Sequence, residues 1–444
     1  MKLFRHLRWA LPVALSLGAS ALLAQDVPAA PPAPTLNGAD TAFVFACSMF
    51  VLLMLLPGLA LFYAGLARAK NVLSVLMQVF SITALVSVLW ALYGYSLVFA
   101  DGGSLQSFIG GPGKLFLGGV TPDSLVGTIP EYLYFFFMLL FAAITPPIIV
   151  GGFAERMKFS AVMVFMLIWF TINYVPMAHM GWAAGGWVFN LGAQDFAGGN
   201  VVHVNVGVAA LVGAFLIGKR KGAGTSAMTP HNMTMTMTGG SMLWVGWLAF
   251  CGGCAYLANG FAMMIVINNM LAAAAGALSW LLIEWFHRGK PSLLGALSGA
   301  IAGLVAITPA CGFVSPMGAL AIGALISPFC VWAVEWLKPR LGADDAFDVF
   351  GVHGVAGIVG CVLTTLFAAK TVGGMGYAEG RDLFSQMGVQ LTVTGFSVVY
   401  SAITSYIAFK LAGLLCGGLR VSEDEEDEGL DVTSHGETGY KLSA

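Results

Sequence analysis

Eleven long apolar runs dominate the chain, and each can cross a hydrocarbon layer about 30 Å thick. They fall at 41–67, 72–99, 132–153, 160–178, 201–218, 233–258, 261–286, 293–310, 317–337, 349–369 and 388–415. The runs are continuous and do not alternate, so they predict helices and not the strands of a β-barrel. The few charges within them, Glu284, Glu335 and Lys410, lie near run ends, where long side chains reach the interface. Composition agrees: 58% of residues are hydrophobic, 9% are charged, and mean hydropathy is +0.85. Soluble domains are about 25% charged, which excludes a water-soluble enzyme and a disordered chain. A net charge of −2 offers no basic surface for nucleic acid. The 57 glycines suggest helices packed backbone to backbone.

Residues 1–24 read as a secretory signal. Lys2, Arg5 and Arg8 precede a short apolar core, and small residues up to Ala24 offer a cleavage site. A linker at 25–40 follows, with PAAPPAP at 28–34. With the mature N-terminus outside, fourteen of the 20 Lys and Arg fall inside and three outside, the other three being in the signal. That asymmetry obeys the positive-inside rule and puts the C-terminus in the cytoplasm. The expected fold is an all-α polytopic membrane protein of eleven transmembrane helices. Two inverted five-helix halves, 41–218 and 219–369, precede a loop and eleventh helix at 370–416 and a cytoplasmic tail at 417–444.

Two histidines, His203 and His353, lie deep in the fifth and tenth runs, at corresponding places in the two halves. Ionisable residues inside a membrane are functional candidates. A neutral imidazole offers one donor and one acceptor, so two can share a proton and leave one nitrogen each for a small polar guest. Asp195 and Asp348 are each expected to cap the following helix, with Asp195 adding charge near an outer cation site. Phe137, Phe141, Trp182, Trp247 and Phe250 gain interest only together, since a Trp face attracts a small cation. The seven cysteines, an odd number in or beside apolar runs, do not read as a disulfide framework. Met233, Met235 and Met237 read as core, and the six acids Glu423–Glu428 as a solvated tail.

Long stretches carry a family resemblance: PGLALFYAGLARAKNVLS (57–74), DFAGGNVVHVN (195–205), GKPSLLGALSGAIAGLV (289–305), ITPACGF (307–313), DVFGVHGVAGIVG (348–360) and GLDVTSHGETGY (429–440). From about Ala39 to Tyr440 the chain resembles the ammonium transporters (the Amt/Mep/Rh superfamily), in their bacterial Amt branch. The resemblance implies a homotrimer in the bacterial inner membrane with one pore per subunit. It implies an outer ammonium-recruiting site at Trp182, Phe141 and Cys254, supported by Asp195, and a gate of Phe141 stacked on Phe250. His203 and His353 would line the pore. A PII-type signal protein is the implied partner at the cytoplasmic face, where the C-terminal tail joins the contact. No cofactor and no metal is expected. One departure stands out: Cys251 follows the gate phenylalanine where the family has Asn, and Cys254 replaces a Ser. A thiol accepts hydrogen bonds more weakly than a hydroxyl. The expected function is ammonium transport, with ammonia passing the pore and its proton travelling separately or not at all. Rival readings are an ammonium sensor on the same scaffold, a copper channel using Met, Cys and His, and a redox enzyme built on Cys251 and Cys254.

Overall fold

The computed structural model describes residues 35–440. The signal at 1–24 and most of the linker lie outside the described residues. Nine helices among those described are long and apolar enough to cross a membrane. They are α1 (Gly38–Leu66), α2 (Ala69–Phe99), α3 (Glu131–Phe153), α4 (Phe159–Asn190), α5 (Gly199–Ile217), α7 (Gly260–Arg288), α9 (Pro316–Leu341), α10 (Phe350–Ala368) and α11 (Leu383–Leu415). The other two expected spans are also helical but differ in kind. Helix α6 (Met233–Gly253) has 21 residues and begins with alternating Thr. Helix α8 (Leu293–Ile307) has only 15 residues, short of the ~20 a full crossing needs. Two short helices follow α11, namely α12 (Glu423–Glu428) and α13 (Leu430–His435). The sole sheet among the described residues is a hairpin, β1 (Leu125–Val126) with β2 (Ile129–Pro130).

Local chemistry sets many of the helix ends. Asn37, Asn232, Asn259, Ser292 and Ser315 accept backbone N–H groups at the starts of α1, α6, α7, α8 and α9. Asp382 and Ser385 form a reciprocal capping box at α11. Asn37 starts α1 at Gly38, three residues before the apolar run at 41. Helix α7 stops at Gly289, whose φ of 73° is left-handed.

Helices α5 and α10 run antiparallel through the centre. Gly207 meets the backbone at Gly354, while Gly357 meets Val204 and the Gly199 carbonyl. A Cβ on Gly207 would overlap Gly354 itself, so only glycine permits this approach. Both helices open with a π-helical turn, Gly199–Val204 and Phe350–Gly354, and each turn carries one of the two histidines. Such turns interrupt the regular ladder and occur often at functional sites.

One end of the bundle gathers the basic residues. Arg68 and Arg220 contact buried Glu155 at 2.6 and 3.5 Å, and Arg220 pairs with Asp344 at 2.9 Å. Buried Arg156 donates to the carbonyls of Gly152, Ala154, Gly218 and Asp344. The acidic tail docks here and is not simply solvated. Glu426 is buried, accepts from Arg420 at 2.6 Å and from the Lys221 amide at 2.6 Å, and Lys221 pairs with Asp427. Asp431 accepts from the Ser74 amide at 2.7 Å, and Tyr440 meets His231 at 2.9 Å. The solvated-tail expectation holds for exposed Glu423, Asp424, Asp427 and Glu428 and fails at Glu426, where neighbouring Arg420 and Lys221, remote in sequence, converge.

Candidate functional site

Two cavities approach each other from opposite ends of the bundle. The outer one, about 130 Å³, is lined by Tyr134, Met138, Phe141, Trp182, Phe196, Ala197, Cys254 and Tyr256. Its aromatic lining carries no formal charge, so ring faces are its means of attracting a cation. Trp182 meets the edge of Phe141 at 5.7 Å and 89°. The Cys254 thiol donates to the Phe250 carbonyl at 3.3 Å, leaving only weak sulfur lone pairs for a guest.

Phe141 and Phe250 close the cavity floor. Their rings stack at 3.8 Å with an interplanar angle of 18°, which is van der Waals contact. One turn deeper on α6, Trp247 lies face to face with His203 at 5.0 Å and 15°. Its indole N–H donates to Thr308 at 2.9 Å. The His203 and His353 Nδ1 atoms then lie 3.2 Å apart, with ring centroids at 5.4 Å. One nitrogen must donate and the other accept, so the pair shares a proton. His203 Nε2 is buried without a protein partner among the described residues. His353 borders the inner cavity, about 220 Å³, with Tyr63, Lys338, Asp348 and Arg220 also in its wall.

The expected site residues are therefore brought together: Trp182, Phe141 and Cys254 around the outer cavity, Phe141 on Phe250 below it, and His203 against His353 beneath. Asp195 acts from behind. Its carboxylate accepts the Gly198 amide at 3.1 Å, the Asn200 amide at 2.8 Å and the Gly199 amide, fixing the π turn that holds His203. Burial pushes its carboxyl up, against the pull of those amides.

Asp348 does not take the matching place in α10. It lies at a left-handed φ of 59° and pairs with Lys338. The cap is Asp345, whose Oδ2 accepts the Phe350 amide at 2.7 Å. Asp345 precedes His353 by eight residues, as Asp195 precedes His203, and that spacing would have identified it. Asp345 is 1% exposed. Burial pushes its carboxyl up to about 7; Asp348 adds to the rise and Lys338 opposes it. Such a raised group stabilises the fold below its unfolded pKa near 4, and that contribution is lost as pH rises through about 7. Asp345→Asn keeps a capping side chain but cannot ionise. Thermal midpoints from pH 5 to 8 are expected to fall less steeply in this variant than in wild type, and Asp348→Asn, which removes one contribution to the rise, gives an intermediate slope. Equal slopes in all three would remove Asp345 from this role.

Thr308, Tyr134, Met138, Tyr256 and Lys338 join the path without having been singled out in the sequence. Met233, Met235 and Met237 do not form core as expected: Met237 is exposed and the other two are only part-buried, because α6 begins at the edge of the bundle. No cluster of three or more His, Cys, Asp or Glu among the described residues is placed to hold a metal ion.

The sequence profile of the Ammonium Transporter Family matches residues 42–440. The chain belongs to that family. An ammonium transporter of Bacillus subtilis is 46% identical over 410 residues, covering 91% of this chain and 99% of the relative. One from Aquifex aeolicus is 43% identical, covering 92% and 94%. Among solved structures, Mep2 of Candida albicans has a TM-score of 0.80 at 35% identity, covering 88% of each chain. A protein described as a sensor Amt protein has a TM-score of 0.82 at 27% identity, covering 89% of this chain and 98% of its own.

Proposed function

We propose that this member of the ammonium transporter family carries ammonium nitrogen across a membrane. Ammonium docks among the aromatic rings of the outer cavity, loses its proton at the Phe141–Phe250 gate, and ammonia passes His203 and His353. The observation that carries this reading is the 3.2 Å Nδ1–Nδ1 contact, placed between two cavities under a stacked gate. Magnitudes favour the same order of events. By analogy with lysine, ammonium has a pKa of roughly 9–10, so deprotonation at pH 7 costs about 3–4 kcal/mol. Stripping a bare ion of water for an apolar passage costs tens of kcal/mol. Ammonia can donate to or accept from the free imidazole nitrogens, and the shared Nδ1 proton offers a separate route for charge. The gate must open by ring rotation, because rings at 3.8 Å leave no room for a molecule.

Eleven spans in two inverted halves belong to this reading. Support comes from the antiparallel α5–α10 crossing and from the shared aspartate–histidine spacing of eight. The basic end would face the cytoplasm of a bacterium, with the mature N-terminus outside. A homotrimer in the inner membrane and a PII-type partner at the basic end, both drawn from the family resemblance, complete it.

The deciding experiment is ammonium-evoked current in proteoliposomes holding the full chain. Current that saturates with ammonium supports transport, and the absence of both current and ammonium uptake in well-folded protein overturns it. A sensor is the second reading, favoured by the likeness to the sensor Amt protein and by the thiol at 254. A sensor would bind ammonium at the outer cavity and move neither current nor ammonium nitrogen.

Cys254→Ser tests the outer cavity directly. A hydroxyl keeps the bond to the Phe250 carbonyl and adds a stronger acceptor, worth about 1 kcal/mol. The half-saturating ammonium concentration is expected to fall about fivefold. An unchanged value would place residue 254 off the binding path.

A further inference from the structure

His179 lies on α4 one turn before Trp182, outside both cavities, and it is fully buried. Each of its ring nitrogens faces a backbone carbonyl. Nδ1 lies 2.7 Å from the Val98 oxygen, and Nε2 lies 2.6 Å from the Gln106 oxygen. We propose that His179 is the positioning residue for Trp182, held as an imidazolium that ties the outer end of α4 to α2 and to the loop after α2; this builds on the reading that ammonium is recruited in the outer cavity.

The two contacts decide the charge. A carbonyl oxygen can only accept, and a neutral imidazole carries one N–H. A neutral ring would set a bare lone pair against one of the two oxygens at hydrogen-bond distance. Only the doubly protonated ring satisfies both, and charge-assisted bonds are the short ones. The setting suits a cation for a second reason. Val98 lies in the last turn of α2, which ends at Phe99, where carbonyls lack helical partners and the helix dipole is negative. No carboxylate is paired with His179 among the described residues. Asp101 accepts the Gly103 amide, Glu131 takes Tyr95 and Lys114, and Asp195 holds the π turn of α5. Carbonyls fixed by the fold therefore answer the charge.

The same contacts place the indole. Helix α4 breaks after Trp182, where Ala183 is extended with a ψ of 139°, and turns helical again only at Trp187. A side chain at such a break moves with the backbone on either side of it. Here both sides are tied to one short loop segment. Before the break, His179 reaches the Gln106 carbonyl. After it, Gln106 Nε2 donates to the Ala184 carbonyl at 2.6 Å, and the Trp187 amide donates to the Ser107 carbonyl at 2.8 Å. Gln106 Oε1 accepts the Gly102 amide at 2.6 Å, which stiffens the loop itself. Losing one N–H of His179 frees a tie, and the indole that meets Phe141 at 5.7 Å loses its alignment.

The test uses the full chain in nanodiscs, with heavy nitrogen in its histidine rings, read by NMR at neutral pH. His179→Gln assigns the signal. Two protonated nitrogens at His179 are expected, and one bare nitrogen overturns the proposal. The variant keeps a donor for one carbonyl and loses the other. In proteoliposomes its half-saturating ammonium concentration is expected to rise about fivefold, the scale of one hydrogen bond, with maximal current within about twofold of wild type. A lower thermal midpoint with unchanged half-saturation would make His179 a packing residue and overturns the proposal. So does a fall in half-saturation, which would mean that the charge repels ammonium rather than placing the indole. If His179→Gln does not fold, Gln106→Ala carries the test, since it cuts the tie beyond the break and leaves His179 intact. Half-saturation should rise there too, and a wild-type value is contrary. Wild-type protein that binds ammonium but moves none defeats the transport reading alone, and the same comparison is then made on binding by calorimetry.

Discussion

His203→Ala and His353→Ala each reduce ammonium-evoked current by at least about tenfold while leaving a folded protein. The shared proton needs both Nδ1 atoms, which lie 3.2 Å apart. Truncating either ring leaves the other imidazole with no second nitrogen to exchange with. Loss of one such hydrogen bond costs on the order of 1 kcal/mol of stability, too little to unfold the bundle. The turns that carry the histidines are held independently, by Asp195 under His203 and by Asp345 under His353. Folding and current are therefore separable readouts. Thermal midpoints near wild type together with lost current are the expected pair. Wild-type currents in both variants would exclude a proton route through the imidazoles.

Potassium produces no measurable current through wild-type protein at concentrations where ammonium saturates. The two ions share charge and approximate size, and the aromatic outer cavity attracts either one. Only ammonium can leave its charge behind. Below the outer cavity lie Phe141 on Phe250, then Trp247, and no acidic residue lines the outer cavity. An intact ion would lose its water without replacement, at a cost of at least several kcal/mol. Each 1.4 kcal/mol is a factor of ten, so discrimination of about a thousandfold or more is expected. Potassium should still compete weakly for the outer cavity, raising the ammonium concentration needed for half-maximal current.

The spanning helices were legible because lipid allows a chain few alternatives. A backbone in hydrocarbon must satisfy its own hydrogen bonds, so apolar length alone locates most helices. The histidine pair was legible for a related reason, since ionisable side chains are costly in lipid. Helix α8 was over-read: apolar residues continue to Ala310, but the helix stops at Ile307 and the chain turns toward Thr308, which Trp247 and Cys251 contact. Asp345 was missed because Asp348 lies nearer the apolar run, the usual place for a cap. The paired π turns each add an unexpected half-step at the helix start. Tyr134, Met138 and Tyr256 were hidden among many other aromatic and sulfur side chains, and nothing local distinguishes those that line a cavity. The docked tail was unreadable for the opposite reason, because it depends on Lys70 and Lys221, which only the fold brings to α12.

The central claim is that nitrogen passes the gate without its proton. Its most direct test compares ammonium and potassium on the same proteoliposomes, at equal driving force, with wild-type protein. Saturating current with ammonium and none with potassium is the predicted result. Comparable currents from both would mean that an intact cation crosses between Phe141 and His353, and the proposed route would be wrong.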